Sequence, residues 1–104
     1  MITMNEKLYK EAMEGSKPVL IEYWAPWCVY CRRITPAMKQ LAERRADLLI
    51  GQVNIDDYPE LAKREQIEVI PTLVLYEKGE ALGSIVAPES RSRIEEFLAD
   101  YLDN

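Results

Sequence analysis

A chain of 104 residues, 48% hydrophobic and 30% charged, has the size and balance of one soluble domain able to bury its own core. Thirteen basic against 18 acidic residues give a net charge of −5, which leaves no basic footprint for nucleic acid or an anionic membrane. Histidine is absent, which removes the commonest metal ligand and the commonest general base together.

In chain order the pattern alternates between helix and strand. The N-terminal MITMNEKLYKEAMEG has no basic segment followed by an apolar run, so no signal peptide is read there. The longest apolar stretches, such as VLI and TLVLY, fall far short of a membrane span, and a reducing cytoplasm is the expected compartment. Before Asn5 there is room only for a stub of a first strand. Asn5 predicts an N-cap for a helix over 6–14, with Leu8, Ala12 and Met13 on one face and Gly15 at its end. Pro18 precedes VLIEYW (19–24), a β-rich run that suits a strand buried on both faces. WAPWCVYC (24–31) follows, then a long helical pattern in which Ile34, Met38, Leu41 and Ala42 recur at i, i+4, i+7 and i+8. Pro36 inside that pattern predicts a kink rather than a stop. LLIGQVNI (48–55) reads as a strand, and DDYPELAKREQ as a short helix opened by acids and a proline. TLVLYEKGEALGSIV reads as two strands joined by a turn at Lys78-Gly79. Ser90 caps a last helix whose Ile94, Phe97, Leu98, Tyr101 and Leu102 form an apolar stripe. The order predicts an α/β fold, with residues 1–104 as one domain: a mixed central sheet of four strands plus the stub, and helices on both faces.

Both cysteines of the chain, Cys28 and Cys31, lie between a strand and a helix. Such a pair can hold a metal, staple the fold or exchange electrons. A tetrahedral zinc site needs four ligands, so metal binding here requires two chains sharing one ion. A staple is uncommon in a reducing compartment. The strand-to-helix setting points to redox use. At i and i+3 on a first helical turn the two side chains share a face within disulfide reach. Cys28 at the helix N-terminus gains from unpaired N–H groups and the positive dipole end, which favour its thiolate. Cys31, one turn in, is expected to be more buried and less readily ionised, so that one cysteine attacks and the other waits. No Gly-rich nucleotide fingerprint occurs, so no bound dinucleotide cofactor is expected.

WAPWCVYC before a helix, VIPT before a strand and YEKGE in a turn resemble the thioredoxin family, in the family's order of elements from about Leu8 to Leu102. The resemblance implies a thioredoxin fold and a protein-disulfide reductase whose only redox group is the Cys28-Cys31 pair. It implies disulfide-containing protein substrates, re-reduction by a flavin reductase that uses NADPH, and a monomer. It also implies a cis Ile70-Pro71 bond packed against the cysteines, and a docking groove lined by Trp27, Ile70 and Pro71 with Val29 and Tyr30 beside it.

Glu22 interrupts an otherwise apolar strand. Buried, its carboxyl is costly unless paired and tends to stay protonated; facing solvent, it is an ordinary strand residue. The resemblance places a buried acid here, usually Asp, as proton relay to the second cysteine, so Glu22 would serve Cys31 through a water. Its extra methylene departs from that pattern. Gln52 stands where many thioredoxins carry a lysine near the acid, so a raised Glu22 pKa is expected. Ala87, followed by Pro88, stands where the family commonly has a glycine facing the cysteines, and its side chain narrows the groove. Val29 and Tyr30 replace the usual Gly-Pro, which removes a stiffening proline and adds a ring beside Cys28. The expectation is a less reducing protein with a more selective docking face.

Other residues read as structural. Arg32 and Arg33 fit a solvated helix face, Tyr9 the packing of the first helix, and Tyr23, Tyr76 and Tyr101 the core. Asp56-Asp57 and Glu95-Glu96 fit helix starts or exposed faces. Two rival functions stay open. One is a glutathione-dependent reductase of glutaredoxin type, suggested by a tyrosine directly before the second cysteine. The other is a non-catalytic binding module on the same scaffold.

Overall fold

The structure, a computed structural model, describes residues 1–102. The stub is a two-residue strand, β1 (Ile2–Thr3), and Asn5 then caps α1 (Glu6–Glu14) by accepting the Leu8 N–H at 2.8 Å. β2 (Val19–Trp24) follows, then α2 (Val29–Arg44), which runs on through Pro36. β3 (Leu49–Asn54), the short α3 (Pro59–Arg64) and the hairpin β4 (Thr72–Glu77) and β5 (Glu80–Val86) come next. The hairpin turn places Lys78 and Gly79 at φ 52° and 82°, the left-handed pair that a tight two-residue loop requires. Ser90 opens α4 (Arg91–Leu102) by accepting the Arg93 N–H at 3.1 Å.

The sheet order is β1-β3-β2-β4-β5, parallel across β1, β3 and β2 and antiparallel from β2 through β4 to β5. β2 lies in the middle, and its side chains alternate between two cores. Val19, Ile21 and Tyr23 pack with Tyr9 and Ala12 of α1 and Leu61 and Ala62 of α3. Leu20 packs with Ile34, Met38 and Leu41 of α2 and Ile94, Phe97 and Leu98 of α4. Each such Leu or Ile contributes roughly 2 kcal/mol by leaving water. The absence of a polar alternation in VLIEYW follows from this double burial.

Two expected faces differ in the structure. On α1 it is Tyr9 and Ala12 that are buried, while Leu8 is exposed. The helix is turned toward the larger neighbour, whose hydroxyl finds partners inside. The Tyr9 and Tyr23 hydroxyls lie 3.4 Å apart, and Tyr23 and Tyr76 share a second, shorter hydrogen bond. Burial pushes the Tyr23 and Tyr76 pKa values upward, so both stay protonated. On α4, Tyr101 is exposed rather than core. Its ring leans edge-on against Phe97, with centroids 5.3 Å apart, and lies over Gly83 of the outer strand. No further layer covers that edge among the described residues, so the last turn of α4 meets solvent.

The tyrosine cluster generates a prediction. Tyr23→Phe removes the hydroxyl that both others bond, leaving two buried O–H groups without it. It should cost about 2 kcal/mol in urea unfolding. Converting Tyr9, Tyr23 and Tyr76 to Phe together should cost less than that single change, because no orphaned hydroxyl then remains.

Candidate active site

The site forms where the middle of the sheet ends. Parallel pairing of β2 and β3 sets Trp24 beside Asn54, so both strands release their chains at the same edge. The turn after β2 closes when the Cys28 N–H donates to the Ala25 carbonyl at 3.1 Å. Cys28 is then the N-cap of α2, and its Sγ accepts the Cys31 N–H at 3.1 Å. A sulfur atom thus occupies the place of the usual capping oxygen, at the positive end of a 16-residue helix. Cys28 and Cys31 form a disulfide with Cα atoms 5.2 Å apart. Cys28 keeps 8% of its surface exposed and Cys31 keeps none, so only the first sulfur is reachable from outside.

The second half of the site comes from the loop before β4. Ile70-Pro71 is a cis bond, and the Ile70 carbonyl oxygen lies 3.9 Å from the Cys28 Sγ. Pro71 is buried while Ile70 is partly open. Across from it the Ala87 N–H donates to the Pro71 carbonyl at 2.8 Å. Ala87 is held at φ 44°, a left-handed conformation that costs a residue with a Cβ about 1–2 kcal/mol. Its methyl group therefore stands at the loop at an energetic cost that a glycine would avoid.

Trp27, Val29 and Tyr30 are exposed around the cysteines. The Trp27 indole is fixed: its Nε1–H donates to the Asp56 carboxylate at 3.0 Å. Asp56 is placed in turn by its own N–H, which donates to the Asn54 side chain at 2.9 Å. Asp56 is thus a site residue, not merely an acid near a helix start. It lies 29 positions from Trp27, and no local pattern marks it; only the β2–β3 register brings the two together. Tyr30 carries the Arg33 guanidinium over its ring, 5.5 Å from the centroid, so Arg33 does more than face solvent. Arg32 is exposed.

Glu22 is fully buried on the α2 side of β2, in the same layer as Leu20 and two residues from Trp24. Neither carboxyl oxygen has a hydrogen-bond partner among the described residues, and neither does the Trp24 indole N–H. Trp24 packs against the small cluster of Ala25, Cys28 and Cys31. Gln52 is the register partner of Glu22 on β3, but its amide turns to the Thr3 hydroxyl at 3.4 Å. Burial alone pushes the Glu22 pKa up from 4.5 to about 7. Among the described residues no group of three or more Cys, Asp or Glu side chains is placed to hold a metal, and no helix is long and apolar enough to cross a membrane.

The raised Glu22 pKa fixes the sign of a pH effect. Between about 4.5 and 7 the unfolded chain releases this proton while the folded chain keeps it, so folding binds the proton and stability falls as pH rises. The loss from this group reaches at most about 3 kcal/mol above pH 7. Urea unfolding from pH 4.5 to 8 should show that decline, and Glu22→Gln should flatten it and be the more stable form at pH 8.

The comparisons with known proteins agree with this geometry. The thioredoxin family model matches residues 1–100. A thioredoxin of Alicyclobacillus acidocaldarius subsp. acidocaldarius is 33% identical over 102 residues, which is 97% of this chain and 97% of that protein. A bifunctional thioredoxin reductase/thioredoxin of Mycobacterium leprae (strain TN) is 30% identical over 97 residues, 92% of this chain and 21% of that protein. Among solved structures, a mutant thioredoxin from Halobacterium salinarum NRC-1 shares the fold, with a TM-score of 0.86 at 23% identity over 97% of this chain and 88% of that one. The chain belongs to the thioredoxin family and is a thiol–disulfide oxidoreductase of disulfide substrates.

Proposed function

We propose that Cys28 is the attacking thiolate, Cys31 the resolving thiol and Glu22 the group that carries the proton between Cys31 and solvent. The observation that carries this assignment is the Cys31 N–H donated to the Cys28 Sγ at the head of α2. That hydrogen bond and the helix dipole stabilise negative charge on the one sulfur that solvent reaches.

In the reduced state the Cys28 thiolate attacks one sulfur of a substrate disulfide. That S–S bond breaks, the far substrate sulfur leaves as a thiolate and takes up a proton, and a mixed disulfide joins Cys28 to the substrate. Cys31 then gives its proton to the Glu22 carboxylate, by way of a water, and attacks the Cys28 sulfur. The mixed disulfide breaks, the second substrate thiolate leaves, and Cys28-Cys31 closes. Two electrons have passed from the chain to the substrate. Trp27, Val29, Tyr30, Ile70, Pro71 and Ala87 form the docking surface, with the Ile70 backbone offered to an extended substrate segment.

No bound cofactor takes part in this cycle, and the domain acts as a cytoplasmic monomer. Re-reduction falls to a flavin reductase that uses NADPH. The Mycobacterium leprae relative supports that partner, since its name joins a thioredoxin reductase to a thioredoxin.

Cys31→Ser should accumulate the mixed disulfide with substrate protein, visible as a thiol-sensitive mass increase, while Cys28→Ser should accumulate none. Trapping by Cys28→Ser alone would overturn the assignment. Glu22→Gln should slow the resolving step by about 10²-fold and remove its rise through pH 7. A glutathione-only assay separates the rivals, because rapid turnover without a flavin reductase would favour the glutaredoxin-type reading. Val29 and Tyr30 in the first turn should place the potential above the roughly −270 mV of thioredoxin. A value at or below that figure, in a glutathione buffer titration, removes the role given to this pair.

A further inference from the structure

We infer that the groove between the α3–β4 loop and the outer strand β5 is a second contact site for the substrate chain, one that takes an aliphatic side chain beside a basic one. The inference rests on the mechanism proposed for Cys28 and adds a determinant of substrate choice to it.

The groove exists because the sheet is wider than the helices that cover it. Thr72, Val74 and Tyr76 point to the α1–α3 side, and their β5 partners Val86, Ser84 and Ala81 share that face. Tyr76 is buried under α1, but Ala81, Ser84 and Val86 at the sheet edge are exposed. The uncovered strip and the 65–69 loop border an open groove of about 390 Å³.

Three features say what fits there. The first is continuity with the docking loop: Val69 directly precedes Ile70, and Val86 directly precedes Ala87. Both valines line the groove, and they are 55% and 52% exposed. Both leave apolar surface open on the border of one groove, beside the loop that carries Ile70. The second is charge. Glu65 and Glu68 are the charged residues of the lining; no Lys or Arg joins them, and neither has an ion-pair partner among the described residues. The third is rigidity. Gln66, at φ 59°, donates its N–H to the Lys63 carbonyl at 3.0 Å, and Ile67 donates to the Ala62 carbonyl at 2.9 Å. The glutamates are thus presented by a loop already ordered, which limits the entropy lost on binding.

The occupant is the substrate polypeptide rather than a second copy of this chain. A chain of net charge −5 is repelled from an acidic groove, whereas a substrate segment lying along Ile70 runs past Val69 and Val86 without a break. An aliphatic residue then covers the valines, and a Lys or Arg beyond it reaches Glu65 and Glu68.

The test uses disulfide-linked peptides with a valine next to the cysteine and either two lysines or two glutamates beyond it, on each side in turn. In single-turnover reduction by the reduced protein at low salt, the lysine peptide on one side should react about fivefold faster than its glutamate counterpart, the scale of one or two exposed charge pairs. The gap should narrow as salt rises. Glu65→Gln/Glu68→Gln should abolish the gap while leaving the rate on a small aromatic disulfide unchanged. Val69→Ser, a surface change, should slow both valine peptides but not that small disulfide. Equal rates on lysine and glutamate peptides, or a gap that survives in the double variant, overturn the groove and leave the Cys28 mechanism standing. Failure to reduce any of the peptides overturns the mechanism, and the groove with it.

Discussion

The hydrogen bond from the Cys31 N–H to the Cys28 sulfur is the contact around which the molecule is arranged. It exists only if a helix starts at Cys28, and that start needs β2 to end at Trp24, so that one short turn can close onto the Ala25 carbonyl. β2 is held there by β3 along its whole length and by β4 from Val19 to Tyr23. β4 carries the cis Ile70-Pro71 loop to the same edge and brings the Ile70 carbonyl over the sulfur. The core, on this view, is a jig for a single capping interaction. Its two halves, one under α1 and α3 and one under α2 and α4, grip the same strand from both faces.

Most of this was legible in the sequence, for a physical reason. VLIEYW, the i, i+4 stripe of Ile34 and Met38, and the caps Asn5 and Ser90 are local signals, and the structure repeats them to within a residue or two. What escaped depended on contacts far apart in the chain. Leu8 and Tyr9 are both apolar enough to face inward, and the choice between them falls to hydroxyl partners on β2 and β4. Tyr101 continues the stripe of α4 but passes the edge of the sheet. Asp56 looked like a helix-start acid until the register of two parallel strands put it within reach of the Trp27 indole N–H. Cys28 and Cys31 declared themselves by spacing, while nothing local shows that Val69 and the glutamates near it border a groove until β5 is seen beside them.

The two sides of the region around the cysteines are built in different ways. Trp27 is tied to Asp56 and Tyr30 lies under Arg33, so the large rings near the sulfur are steered by polar partners. On the other side, Ala87 is steered by its backbone, through the N–H given to Pro71 and a left-handed φ. Strained positions of this kind persist only where the surroundings over-determine them, and here the surroundings are the loop that carries Ile70.

The buried carboxyl of Glu22 has a consequence for the charge of the core. Burial raises its pKa to about 7, close to neutrality, and its side chain is walled off from solvent on the strand that leads to the cysteines. A carboxylate held there is a fixed negative charge in a medium of low polarisability, and it opposes any further negative charge placed near it. The charge of this buried group therefore changes with acidity near neutrality. The core of the domain is in this sense sensitive to acidity: a drift of a few tenths of a pH unit alters its buried charge, with no change of partner or shape.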